Sequence, residues 1–278
     1  MGKILWLASY PKSGNTWLRL FISNLLADSA TPFDINRIGE VTLAEPGTAG
    51  FALFDQRPWQ EWSDADIARL RPQVQERISQ TREGVIPAKT HSAFVKVGGV
   101  PTINMAVTHG AVYVVRNPLD VVISYAHHQG IDIDAMIDIM ATDMFRTPTN
   151  ATNVYEVMGS WSQHVASWTA SESPMVHVMR YEDMVADAGS AFSDLAAFMR
   201  VQTTPEKIER SVQHAAFDTA RKMEAKTGFV ERTPVQDHFF RSGRVAEWRE
   251  VLSESQVQRI VEAHHQQMAR FGYLPDGP

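Results

Sequence analysis

Cysteine is absent from this sequence of 278 residues. Disulfides, thiolate nucleophiles and cysteine-ligated metal centres are therefore excluded. A surplus of positive charge is missing too: 26 Lys and Arg stand against 32 Asp and Glu, a formal net charge of −6. That balance argues against a bulk binder of nucleic acid or of an anionic membrane, so a bound anion must be held by local groups. Long hydrophobic runs are lacking as well. Near the amino end one Lys precedes only five apolar residues, Ile4 to Ala8, shorter than a signal-peptide core, and no run approaches a membrane span. These absences predict a soluble, cytoplasmic protein with no membrane partner.

What is present suits a globular chain: 44% of residues are apolar and 21% charged, enough to bury a sizeable core. No repeat, low-complexity tract or linker stands out, which predicts a single domain over residues 1–278. Apolar runs at 3–8, 84–91, 111–116 and 175–180 read as strands. Helical spacing follows the first run, with Asn15 or Thr16 as cap and Trp17, Leu18, Phe21 and Leu25 on one stripe. A helix is predicted from Ser63 or Asp64 to about Thr81, with Ile67, Leu70, Val74 and Ile78 inward. Asn117-Pro118-Leu119-Asp120 is a helix start, with Asn as cap and Pro in the first helical position. Further helices are predicted at 118–128, 132–145, 153–171, 189–200, 205–214, 216–226 and 253–270. Residues 31–60, rich in Pro and Gly, read as a long irregular segment with mobile parts, and 228–246 as a long loop. Strands separated by helices imply an α/β fold, a parallel sheet covered on both faces, with its sites beyond the carboxyl ends of the strands.

The first strand leads into Ser9-Tyr10-Pro11-Lys12-Ser13-Gly14-Asn15-Thr16-Trp17. Strand, short polar loop and helix is the setting of phosphate-binding loops, yet the pattern G-x-x-x-x-G-K-[ST] is absent, because Lys12 precedes Gly14. Gly14 permits close backbone approach to an anion, Ser13, Asn15 and Thr16 add donors, and Lys12 adds a mobile charge. The same residues also suit an ordinary strand-to-helix turn with a surface lysine.

"SYPKSGNTW" resembles the 5′-phosphosulfate loop of sulfotransferases that use 3′-phosphoadenosine 5′-phosphosulfate (PAPS), which usually reads Y-P-K-[SA]-G-[TN]-T-W. Such a loop serves one phosphate and no metal ion, so one glycine suffices. "VYVVRNPLDVVISY" looks like the family's 3′-phosphate motif, which assigns Arg116 and Ser124 to that phosphate. "FFRSGRVAEWR" resembles F-x-R-K-G-x-x-G-D-W-K, adding Arg241, Ser242 and Gly243. Here Ser242 replaces Lys and Ala246-Glu247 replaces Gly-Asp, which implies weaker cofactor binding. The resemblance also implies that Trp17 and Phe217 sandwich the adenine and that Tyr181 reaches one of its nitrogens. Ala215-Ala216 replaces the usual Thr-Ser before Phe217. "AKTHSAF" is similar to the family's K-T-H segment. It implies His91 as general base, Lys12 and Lys89 neutralising charge on the leaving phosphate and the sulfuryl group, and Ser124 contacting Lys12.

The four motifs stand in family order from Ile4 to about Tyr273. The implied fold is the three-layer, P-loop-NTPase-like sulfotransferase fold. The implied activity is sulfuryl transfer from PAPS, with no metal, to a hydroxyl of a small or medium organic acceptor. Two other readings remain at this point: a P-loop-like nucleotide kinase, disfavoured by the order of Lys12 and Gly14, and a non-catalytic nucleotide-binding protein of the same fold. His127-His128 and His264-His265 are adjacent pairs that diverge on a helix and make no natural metal site. His164 reads as helix packing with Trp161 and Trp168. The family's dimer segment is not reproduced at Arg249–Gln258, so oligomeric state and acceptor identity stay open.

Overall fold

The computed structural model describes residues 2–275. Seven strands occur among them: β1 (Lys3–Ser9), β2 (Leu43–Ala44), β3 (Val85–Thr90), β4 (Lys96–Val97), β5 (Val100–Pro101), β6 (Thr108–Val115) and β7 (Val176–Arg180). Five form one sheet in the order β2-β3-β1-β6-β7, while β4 and β5 make a small antiparallel pair. β3 runs parallel to β1, with Lys3 opposite Val85 and Ala8 opposite Thr90, and parallel to β2, with Leu43 opposite Ala88. This is the α/β class, a central parallel sheet flanked by helices, that the alternation of apolar runs predicts. By contact the chain divides into two compact units, one of residues 1–10, 42–113 and 139–178, the other of residues 11–41, 114–138 and 179–278.

In the first unit β1 is buried on both faces, from Ile4 to Ser9, as a near-continuous apolar run in a parallel sheet should be. The helix Asp64–Ser79 packs on β1. It begins at a capping box in which the Ser63 hydroxyl accepts from Asp66 N and the Asp66 carboxylate accepts from Ser63 N. Ile67, Leu70, Val74 and Ile78 are all buried, as their spacing predicts. Residues 31–60 depart from expectation, for they contain β2 and short helical turns. A buried ion pair explains part of that order. Arg71 Nη1 lies 2.8 and 2.7 Å from the Glu45 carboxylate oxygens, with both residues 2% exposed or less. Gln75 donates to the same carboxylate, and Arg71 Nη2 donates to Tyr155 O. A second departure lies at 153–171, where the helix is only Trp161–Thr169. Gly159, at φ 64°, and a capping box between Ser160 and Gln163 start it late.

In the second unit the helix Asn15–Ala27 packs on Pro205–Ala215, which packs on Ala188–Phe198. Phe21 and Phe192 stack there at 4.1 Å. The Asn15–Ala27 helix is capped neither by Asn15 nor by Thr16. Gly14 is its N-cap at φ 106°, with no side-chain bond, because the chain must turn through a conformation that disfavours a Cβ. The helix Pro118–Gln129 starts as predicted, the Asn117 side chain accepting from Leu119 N. The helix predicted at 132–145 ends sooner, as Ile133–Ala141, and the last helix is Glu254–Phe271.

Candidate active site

In the second unit the chain turns at Lys12, φ 65°, and again at Gly14, which caps the positive end of the helix Asn15–Ala27. Ser13 and Asn15 are buried, and Thr16 and Trp17 half-buried. Gly14 is required by contact as well as by φ. A Cβ there would lie 2.7 Å from Tyr181 Cδ2. Gly14→Ala is therefore expected to lose about 1–3 kcal/mol of stability, read from the urea unfolding midpoint.

Arg116 stands just past the end of β6 and is 6% exposed. Its Nη1 donates to Lys12 O at 3.1 Å and its Nη2 to Arg244 O at 2.8 Å. The guanidinium lies over the Tyr181 ring, 4.3 Å from its centroid. Tyr181 donates its hydroxyl to Gly243 O at 2.9 Å and meets the Trp17 ring edge-on at 6.0 Å. Gly243, at φ 65°, accepts the Phe217 ring so closely that a Cβ would sit 2.8 Å from Cδ2. One guanidinium and one phenol thus tie the stretch 12–17 to Gly243 and Arg244, and Phe217 packs on Gly243.

Arg241 and Ser242 belong to the same cluster, turned toward an acidic neighbour. Arg241 makes a bidentate pair with Glu247 at 2.8 and 2.7 Å, and Ser242 Oγ lies 3.2 Å from the same carboxylate. Asp120 holds the segment from the other side, accepting from Ala246 N and Trp248 N. Lys12 Nζ sits 4.1 Å from the centre of the Phe239 ring. Burial, then the charges of Arg241 and Lys12, hold the His127 pKa below its ordinary value, a sign of concentrated positive charge. Ser124 lies half-buried on the helix Pro118–Gln129, about two turns in.

In the first unit Lys89 and His91 lie at the carboxyl end of β3, both half-buried. The imidazole Nδ1 of His91 is 2.8 Å from Ser9 O and 3.4 Å from Ser9 Oγ. A carbonyl oxygen only accepts, so Nδ1 carries a proton there, and in the neutral ring Nε2 is the basic nitrogen. Two residues that local sequence reading does not assign meet the His91 backbone. Glu156 Oε1 accepts His91 N–H at 2.6 Å, and His164 Nε2 donates to His91 O at 3.0 Å. Burial pushes the Glu156 carboxyl up, against the pull of His91 N–H, Lys89 and Arg71, with Glu45 adding to the push. His164 is fully buried, which lowers its pKa to about 3 and keeps it neutral. Its ring packs against Tyr10 and Tyr113, and its bond to the His91 carbonyl adds to the helix packing the sequence suggests.

Arg116 thus sits beside the turn that starts the helix Asn15–Ala27 in one unit, and Lys89 and His91 stand at the end of β3 in the other. The sulfotransferase domain family model matches residues 3–272. The chain belongs to the sulfotransferase family. It is 24% identical to sulfotransferase 1E1 of Mus musculus, over 95% of this chain and 83% of that one. It is 23% identical to flavonol 3-sulfotransferase of Flaveria bidentis, over 97% of this chain and 83% of the relative. Among solved structures it shares its fold with retinol dehydratase in complex with androsterone and PAP, TM-score 0.65, 17% identity, covering 95% and 80% of the two chains. A mouse sulfotransferase complexed with PAP gives TM-score 0.62 at 19% identity, covering 96% and 84%. No helix among the described residues is long and apolar enough to cross a membrane.

Proposed function

We propose that this chain, working as one domain in the cytoplasm, transfers the sulfuryl group of PAPS to a hydroxyl of a small or medium organic acceptor. The observation that carries the reading is Arg116, whose two terminal nitrogens bridge the Lys12 loop and the 241–244 segment. The two segments assigned to opposite phosphates are thereby joined through one buried cation. The donor set suits a doubly phosphorylated nucleotide. Ser13 Oγ, Trp17 Nε1 and Arg116 Nε are buried polar atoms without a hydrogen-bond partner among the described residues, the costly state that a phosphate or ribose oxygen relieves.

PAPS supplies an activated sulfuryl group on a phosphate leaving group. Around it, the backbone N–H groups of 13–17 hold the 5′-phosphate, and Lys12 follows its growing charge. Arg116, Ser124, Arg241, Ser242 and Gly243 N–H hold the 3′-phosphate, which must compete with Glu247 for Arg241. Trp17, Phe217 and Tyr181 seat the adenine. His91 takes the acceptor hydroxyl proton at Nε2, supported by the Nδ1 contact to Ser9 O. Lys89 neutralises the sulfuryl oxygens. The retinol dehydratase structures are complexes with androsterone and with retinol, small molecules of the size proposed here for the acceptor.

The test is incubation with PAPS and a panel of phenols and alcohols, with calorimetry of the free nucleotides. Release of 3′-phosphoadenosine 5′-phosphate (PAP) without added metal, and tighter binding of PAP than of ATP with magnesium, are expected. ATP-dependent phosphorylation of the panel would establish the kinase reading instead. Binding of PAP without turnover on any acceptor would favour the non-catalytic one.

A further inference from the structure

His91 is gripped at its main chain from both sides by residues far away in sequence. Glu156 takes its N–H at 2.6 Å, and His164 donates to its carbonyl at 3.0 Å, across 65 and 73 positions. Behind His164 stands the wholly buried Tyr113, its hydroxyl 2.9 Å from His164 Nδ1. The hydrogen-bond directions follow by elimination. The His91 carbonyl only accepts, so His164 Nε2 carries the single proton of a neutral ring. His164 Nδ1 is then an acceptor, and Tyr113 donates. One turn further along the same helix Trp168 Nε1 donates to Ser92 O at 3.1 Å. Shielding a half-buried carboxyl and a fully buried imidazole in one place is unfavourable unless each is hydrogen-bonded, and both spend a bond on the peptide groups of one residue.

We propose that Glu156 and His164 are positioning residues for the transfer reaction, holding the His91 backbone so that its ring stays committed to Ser9 O and presents Nε2. The proposal rests on the reading of His91 as the base. A base must be held within a few tenths of an ångström of its proton, and small displacements cost large factors in rate. Glu156 faces Lys89, Glu45 and Arg71, so its carboxylate also lies within the charge field of the proposed sulfuryl-binding lysine.

The full chain is compared with E156Q, E156M, H164Q, H164L and H91A in steady-state kinetics, with PAP affinity measured for each. E156M and H164L are expected to lower kcat by about ten- to a hundredfold, with KM for PAPS and PAP affinity within about twofold. E156Q keeps an acceptor and H164Q a donor at the matching atoms, so both are expected to recover most of the loss. Unchanged kcat in E156M and H164L, or glutamine variants no better than the apolar ones, overturns the proposal. Should the apolar variants fail to fold, the ring 15N shifts of His91 in the unmodified protein decide. The Nδ1-protonated tautomer supports the proposal and the Nε2-protonated one overturns it. H91A separates the two claims: full turnover there refutes the base itself. Turnover lost in H91A but intact in E156M and H164L refutes the positioning alone.

Discussion

Replacing His91 by alanine is expected to lower kcat about a thousandfold, within the range removed with a general base. The affinity for PAP should stay within about twofold. The split follows from placement. His91 is bonded to Ser9, Glu156 and His164, all in residues 1–10 and 139–178. The residues assigned to the nucleotide lie in residues 11–41, 114–138 and 179–278. Alanine deletes the ring and its Nε2 lone pair and leaves the peptide groups that Glu156 and His164 hold. Single-turnover measurements with PAPS and an active phenol, beside calorimetry with PAP, read both halves. Turnover of the alanine variant within tenfold of the parent enzyme would move the base to another group. A large loss of PAP affinity would show that His91 serves the nucleotide.

Arg116→Ala has the opposite signature. PAP affinity is expected to fall about a hundredfold or more, and KM for PAPS to rise with it. A charge-assisted hydrogen bond contributes about 1.5–3 kcal/mol, and about 1.4 kcal/mol is a tenfold change in affinity. Two effects add. The variant removes a buried cation from the residues proposed to hold the 3′-phosphate. It also releases Lys12 O and Arg244 O, and with them the link between the 5′-loop and the segment carrying Arg241 and Gly243. Arg116→Lys should recover little, since one ammonium cannot present two nitrogens in a plane while lying 4.3 Å over Tyr181. Calorimetry with PAP and with adenosine 5′-phosphate, which lacks the 3′-phosphate, distinguishes the two effects. If PAP affinity alone collapses, the lost charge dominates. If both collapse, the 5′-loop has come loose. Unchanged affinity for PAP would remove Arg116 from the nucleotide site altogether.

Glu247 invites comparison with these two. It neutralises Arg241 through a bidentate pair, with Ser242 added. The family pattern has an acid at this place, but a lysine where Ser242 stands. The arginine assigned to phosphate is therefore balanced by a carboxylate, and Ser242 adds no charge where the family pattern has a lysine. This is a physical basis for the weaker cofactor binding that the motif departure implies.

Much of the fold was legible because its signals are local. β1 is a short apolar run, the Asp64–Ser79 helix carries its inward stripe and cap within a few residues, and Asn117-Pro118 starts a helix by its own chemistry. The turn proposed as a cradle is equally local, since its donors crowd around one glycine. Errors fell where distant partners decide. The segment 31–60 reads as irregular, yet Glu45 is fastened by Arg71 across 26 positions, and β2 pairs with β3. Gly14, and neither Asn15 nor Thr16, caps the first helix, because Tyr181 packs where a Cβ would be.

The sequence by itself determined the class of fold, and it placed the proposed phosphate loop and the lysine-histidine pair, since each is written in neighbouring residues whose backbone preferences and donors act together. Only the tertiary structure decided which groups hold His91 and which residue joins Lys12 to Arg244. Those contacts are hydrogen bonds between segments 65 to 128 positions apart, and they form only after burial has brought the segments together.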